Sequence, residues 1–164
     1  MTYLLTFNCY GTRLPGDQRG TVDRIRGRHR GGKIWPSKPL ERWSNENQYS
    51  ASYVLTQPNA HTVLRVIQDV CGFRGWHLLA AHVRTTHVHV VVAPIDNPDR
   101  AIGDFKSYAS RKLNLMEGFQ CRWARGGSTQ PLRTPESVRH AIRYVTEGQG
   151  GPMALYVSNR WERS

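Results

Sequence analysis

Acidic side chains and lysines are scarce in this chain. Its 164 residues hold 12 Asp plus Glu against 23 Lys plus Arg, and only 4 of those 23 are Lys. Cysteine is also scarce: Cys9, Cys71 and Cys121 are odd in number and far apart. That spacing argues against a disulfide framework and for a reducing, cytoplasmic setting. There is no C-x-x-C pair, so a structural zinc knuckle is not expected. No apolar run approaches roughly 18 residues, which excludes a membrane-spanning helix. The segment Met1–Tyr10 lacks the basic start and cleavage site of a secretory signal. A Walker A motif is missing too, so no nucleotide-driven step is expected.

An excess of arginine is what remains. The formal net charge is +11, which favours an anionic partner, with nucleic acid the first candidate. The length fits one domain over residues 1–164 with one real core. An apolar fraction of 38% is low, but it suits a small core joined to a long polar insertion.

That insertion covers about residues 11–50. The chain opens on TYLLTFNCY, aromatic and β-branched, which reads as a strand closed by Gly11. The next forty or so residues are rich in Gly, Pro, Arg, Asn and Ser without a clear period, and read as a long loop. Arg24, Arg26, Arg28, Arg30, Lys33 and Lys38 follow one another there with no acid between them. The first five are candidate DNA contacts, because so long a polar arm is often functional.

Beyond the insertion, apolar spacing marks the elements. Val63, Val66, Ile67 and Val70 share one helical face over Asn59–Gly72, with Asn59 as a candidate cap. Trp76–Val83 and His87–Ala93 read as two strands, antiparallel because Arg84-Thr85-Thr86 is too short for a crossover. Ile102, Phe105, Ala109 and Leu113 line a helix from about Asp99 to Leu115. Cys121–Ala124 and Pro131–Arg133 read as short extended pieces around a flexible Gly126-Gly127 loop. Thr134-Pro135-Glu136-Ser137 is a helix start, with Val138, Ala141, Ile142 and Val145 inside and Gly148 ending it. Met153–Val157 is a terminal strand or loop. The expected fold class is α+β: a ferredoxin-like or RRM-like sandwich, mainly antiparallel, with the polar insertion after its first strand.

One strand carries a chemical signal. His87 and His89 are two apart, so on a strand both imidazoles leave the same face, while Val88, Val90 and Val92 turn to the other. Two adjacent imidazoles can bind one metal ion. Two neutral nitrogens leave positions open, so a third protein ligand is expected. A cupin would need a nearby Glu and a further His, and 164 residues cannot build the barrel of an amidohydrolase.

The His-Val-His strand, with a helical tyrosine about 55 residues later, resembles the HUH single-strand endonucleases. The likeness is to the single-tyrosine transposases of insertion-sequence and REP-associated type. It runs through TYLLTFNCYG, TTHVHVVV, FKSYASRKLN and AIRYVTEGQG, most of the chain. It implies that Tyr144 attacks a DNA phosphodiester, with Tyr108 as the competing candidate. The products would be a 5′-phosphotyrosine and a 3′-OH, which another strand can reverse and join, as in DNA transposition and recombination. It implies a divalent cation, Mg²⁺ or Mn²⁺, on His87 and His89. In relatives a polar residue one turn after the tyrosine supplies the third ligand. Here that position is Gly148, so the role falls to Gln149 or Glu147. Insertion-sequence relatives are dimers that exchange tyrosine helices and REP-associated ones are largely monomeric, so a homodimer stays open.

Single-stranded or hairpin DNA is the partner this resemblance implies. Arg84, Lys106, Arg111, Arg139 and Arg143 are candidate phosphate contacts around the site. Trp35, Trp43, Tyr49, Trp123 and Trp161 are candidates for stacking on unpaired bases. Two other readings remain: a nucleic-acid-binding protein without catalysis, and a metal phosphoesterase that uses water.

Overall fold

A computed structural model describes residues 1–22 and 33–159. In chain order the elements are β1 (Thr2–Asn8), β2 (Thr21–Val22), β3 (Lys33–Ile34), α1 (Lys38–Glu46), α2 (Gln57–Arg74) and β4 (His77–Val83). They continue with β5 (His87–Ala93), α3 (Pro98–Glu117), β6 (Ser128–Leu132), α4 (Pro135–Glu147) and β7 (Ala154–Val157).

Five strands form one antiparallel sheet in the order β6-β1-β5-β4-β7, and β2 pairs with β3 alone. Without β7, the succession β1-α2-β4-β5-α3-β6 in this strand order is the ferredoxin-like arrangement that the sequence implies. α4 and β7 are additions to it, and α4 covers the face that the simple sandwich leaves open.

The central position of β5 explains its composition. Val88, Val90 and Val92 are fully buried against α2 and α3, and Val91 is fully buried against α4. A strand covered on both faces reads as a near-continuous apolar run, interrupted here only by the two histidines. α2 and α3 pack their predicted faces, Val63, Ile67 and Val70 with Ile102, Phe105 and Leu113, into the larger core. α4 packs Val138, Ala141, Ile142 and Val145 with Val91 and Leu132 into a smaller one.

Local chemistry fixes the helix ends. Thr134 Oγ1 accepts from Ser137 N–H and Ser137 Oγ accepts from Thr134 N–H, both at 3.1 Å, with Pro135 opening α4. The cap of α2 is Thr56, not Asn59. Asn59 is buried instead, donating to Glu117 at 2.8 Å and to the Tyr53 hydroxyl at 3.3 Å.

The insertion is more structured than its composition implies. α1 lies inside it, capped by Ser37 with Pro39 in its first turn. Only Ser44 of this helix is buried, and its two large apolar side chains are the half-buried Leu40 and the exposed Trp43. Gly16 lets the two arms touch: a Cβ there would stand 2.5 Å from the Ser37 carbonyl oxygen, and its φ is +89°. Gly127 likewise is no free hinge, since a Cβ would lie 2.8 Å from the Thr6 carbonyl oxygen and 2.7 Å from Ile102 Cδ1. Among the described residues, no helix is long and apolar enough to cross a membrane.

Candidate active site on the α4 face

The site grows from one row across the sheet. Thr6 on β1, His89 on β5 and His82 on β4 are register partners, and His87 stands opposite Asn8. The row faces α4, on the side of the sheet away from α2 and α3. His89 is buried and His87 half-buried, their ring centroids 4.9 Å apart.

α4 completes the arrangement from above. Its inward residues Ala141, Ile142 and Val145 fix its rotation, which leaves Tyr144 at the edge of the apolar stripe. The Tyr144 ring centroid lies 5.4 Å from that of His89, edge to face, and the side chain is 44% exposed.

Gln149 closes the third side. Its Oε1 lies 3.3 Å from His87 Nε2 and 3.2 Å from His89 Nε2. Glu147 is exposed on the last turn of α4. Space explains the glycine between them. A Cβ on Gly148 would approach the Tyr144 carbonyl oxygen to 2.8 Å and its ring Cδ2 to 3.2 Å. The tyrosine ring occupies the room that a side chain at position 148 would take.

The second nitrogen of each imidazole is also held. Thr6 Oγ1 lies 2.8 Å from His89 Nδ1, and Thr86 Oγ1 lies 3.1 Å from His87 Nδ1. When these hydroxyls accept the Nδ1 protons, both Nε2 lone pairs are directed at the Gln149 oxygen. Three acceptors without a proton among them suit a cation, and backing the ligating histidines from behind is what metal sites commonly do. Burial, followed by the charge of His87, pushes the His89 pKa down to about 4. Burial first, and then the Arg84 charge, also lowers His87, against the pull of Gln149. Both rings are therefore neutral near pH 7, the protonation state a metal requires. Two imidazoles and an amide oxygen fit a divalent cation with open positions. Among the described residues no group of three His, Cys, Asp or Glu forms such a cluster, so the set depends on the glutamine.

A cleft of about 720 Å³ runs from this point between α4 and the β6–β1 edge. Its walls include Thr6, Arg13, His89, Gln130, His140 and Tyr144. No family model matches the chain, and no curated protein does. Among solved structures, the chain is similar to a REP-associated tyrosine transposase bound to a REP hairpin, with a TM-score of 0.49 and 14% identity. The match covers 88% of this chain, which spans 63% of that one.

The remaining candidates fall in different places. Tyr108 lies on α3, across the sheet from the histidines, with the Arg111 guanidinium 5.1 Å from its ring centroid. Arg139 and Arg143 are exposed on α4. Arg84 instead donates to the carbonyls of Gln149 and Gly151, the latter at 2.9 Å. Lys106 donates to the carbonyls of Ala124, at 2.7 Å, and Gly126, so its ammonium ties α3 to the following loop. Arg122 is buried against Glu117 and Asn114. Trp35, Trp43 and Tyr49 are exposed. Trp123 is not a free stacking surface: it packs edge-on at 5.3 Å against Phe7 and donates to the Lys106 carbonyl. Arg24, Arg26, Arg28, Arg30 and Trp161 lie outside the described residues, as does the side chain of Lys33.

Thr6, His82, Arg13 and His140 are residues at the site that the sequence reading did not single out. Alternation along β1 places Thr6 opposite in facing to Leu5 and Phe7, a signal present in the sequence. Its meeting with His89 depends on strand order, which is not.

Proposed function

We propose that this protein is a metal-dependent single-stranded DNA endonuclease and strand transferase with Tyr144 as nucleophile. The observation that carries this reading is the convergence of His87 Nε2, His89 Nε2 and Gln149 Oε1 beside the Tyr144 ring. Mg²⁺ or Mn²⁺ is the expected ion, and when bound it supplies charge neutralisation at the scissile phosphate. Three neutral ligands leave its charge undiminished for that task.

The chain's own groups do the rest. Tyr144 Oη loses its proton and bonds to phosphorus as the bond from phosphorus to the 3′ oxygen breaks. The 3′ oxygen leaves and is protonated, and the 5′ end stays on the tyrosine. A 3′-OH from another strand reverses the step, restoring a diester and freeing Tyr144. Arg13 and Glu136 both line the cleft beside Tyr144, and the exposed Arg139 and Arg143 elsewhere on α4 add positive charge for a DNA backbone. Tyr144 stands beside the histidines of its own chain, which supports a site complete within one protomer.

The test is a labelled hairpin-bearing single strand incubated with Mn²⁺ and run on a denaturing gel. A covalent adduct is expected, lost with EDTA, in Tyr144→Phe and in His87→Ala. Cleavage without an adduct would mean that water is the nucleophile. Binding without cleavage would mean a DNA-binding protein without catalysis. An adduct that survives Tyr144→Phe and disappears in Tyr108→Phe would reassign the nucleophile.

A further inference from the structure

Gln149 sits in Gly148-Gln149-Gly150-Gly151, a stretch whose backbone has little preference of its own. A ligand on such a segment must be ordered by something outside it. We propose that His82 and Arg84 are positioning residues that clasp residues 145–153 to the sheet, and so set the Gln149 oxygen against the His87–His89 pair. The proposal rests on the metal site described above and adds the parts that build it.

Four backbone groups define the clasp. His82 Nδ1 meets the Val145 carbonyl at 3.1 Å, and Met153 N–H donates to His82 Nε2 at 3.2 Å. Arg84 Nη1 donates to the carbonyls of Gln149 and Gly151. The two side chains thus hold the last turn of α4, the ligand residue itself, the glycine turn and the approach to β7. His82 lies in β4 and Arg84 directly follows its last residue, and both reach the segment between α4 and β7.

The hydrogen bonds determine the His82 tautomer. A backbone N–H can only donate, so His82 Nε2 accepts from Met153, and Nδ1 must carry the proton given to Val145. Both ring nitrogens are then satisfied in a side chain with no exposed surface. A leucine there would leave the buried Val145 carbonyl and the part-buried Met153 N–H without this partner, which explains a histidine in a strand of apolar neighbours. Gly150, at φ +75°, turns the chain back over the arginine, and a Cβ there would stand 3.7 Å from Arg84 Nη2. β7 then continues the attachment, with Ala154 beside Val83 and Leu155 beside His82.

The experiment measures Mn²⁺ affinity by paramagnetic resonance on the full chain, with amide exchange followed in parallel. Arg84→Met is the main variant, because the residue is only half-buried and methionine keeps the length of the stem. Mn²⁺ affinity is expected to fall about 10-fold or more, the size usual for losing a group that orients a metal ligand. Exchange should quicken across 145–153 and stay unchanged in β1 and β5. Saturating Mn²⁺ should return the cleavage rate towards that of the native chain. His82→Asn, which keeps one donor, should weaken binding in the same direction.

Unchanged Mn²⁺ affinity in Arg84→Met would overturn the clasp and leave the metal site standing. An affinity loss accompanied by equal loosening of the whole sheet would also overturn it, since the role would then be general stability. Native protein that binds no Mn²⁺, or binds it equally in His87→Ala, would overturn the proposed function and the clasp together. A His82→Asn protein that fails to fold leaves the decision to Arg84→Met.

Discussion

The two faces of the sheet are built from the same strands by opposite rules. Towards α2 and α3, β1 and β5 present Leu5, Phe7, Val88, Val90 and Val92, all without exposed surface. Towards α4, the same strands present Thr6, Asn8, His87 and His89. One side is closed by two helices of 18 and 20 residues, the other by one helix of 13. Burial at about 25 cal/mol per Å² scales with apolar area, so the first face holds the fold together. The second face buries less and keeps polar atoms aimed inward, with Thr6 and Thr86 holding the Nδ1 atoms of His89 and His87. On the proposed function, stability and chemistry fall on different sides of one central strand.

The strongest way to break this division is at the two residues that typify it. On the proposed function, Tyr144→Phe removes the attacking oxygen, so adduct formation should disappear entirely. Its side chain is 44% exposed, and unfolding by urea should shift by no more than about 0.5 kcal/mol. Phe105→Ala should do the reverse. The ring is fully buried and meets Trp76 edge-on at 6.1 Å, so about 3–5 kcal/mol of stability should be lost. At temperatures where the variant stays folded, its adduct yield should match that of the native chain. A catalytic defect in folded Phe105→Ala protein would show that the faces are coupled.

What the sequence reveals follows the same line. The faces of α2, α3 and α4 are legible because Val63, Ile67, Phe105 and Ile142 recur at helical spacing. The facing of His87 and His89 is legible because strand alternation is strict. α1 is hard to see because Leu40 and Trp43 are its only large apolar residues in nine, within a polar stretch, although Ser37 and Pro39 mark its start. The packing of Trp123 is not legible, because an aromatic beside a loop looks the same whether it packs on Phe7 or faces water. The third ligand was open between Gln149 and Glu147 because the answer depends on the path of the chain after Gly148. That path is set by Arg84 and His82, more than 60 residues earlier.

A smaller effect sharpens the comparison within the polar face. Thr6 belongs to β1, whose neighbours Leu5 and Phe7 serve the other core. Thr6→Val keeps the shape and the strand preference while removing the oxygen 2.8 Å from His89 Nδ1. Stability should change little, because a strand accepts valine readily. Mn²⁺ affinity, read by calorimetry, should fall about 10- to 100-fold. An unaltered affinity would mean that the threonine does not orient the ring, and that His89 is held by packing alone.

The smallest expected effect tests whether the two faces open independently. Helices as short as α4 are marginal in isolation, so α4 persists through its cap and through Val138, Ile142 and Val145. Thr134→Ala removes one half of the capping box and should cost about 1 kcal/mol. That corresponds to roughly a fivefold change in an opening equilibrium, since about 1.4 kcal/mol is tenfold. If α4 opens as its own unit, amide exchange along Pro135–Glu147 should quicken by about that factor while α2 and α3 keep their native rates. Adduct formation should slow by no more than the same factor, because Tyr144 rides on this helix. Equal acceleration in α2 would show that the face carrying the chemistry cannot loosen without the face carrying the stability. The division of labour between them would then be chemical but not energetic.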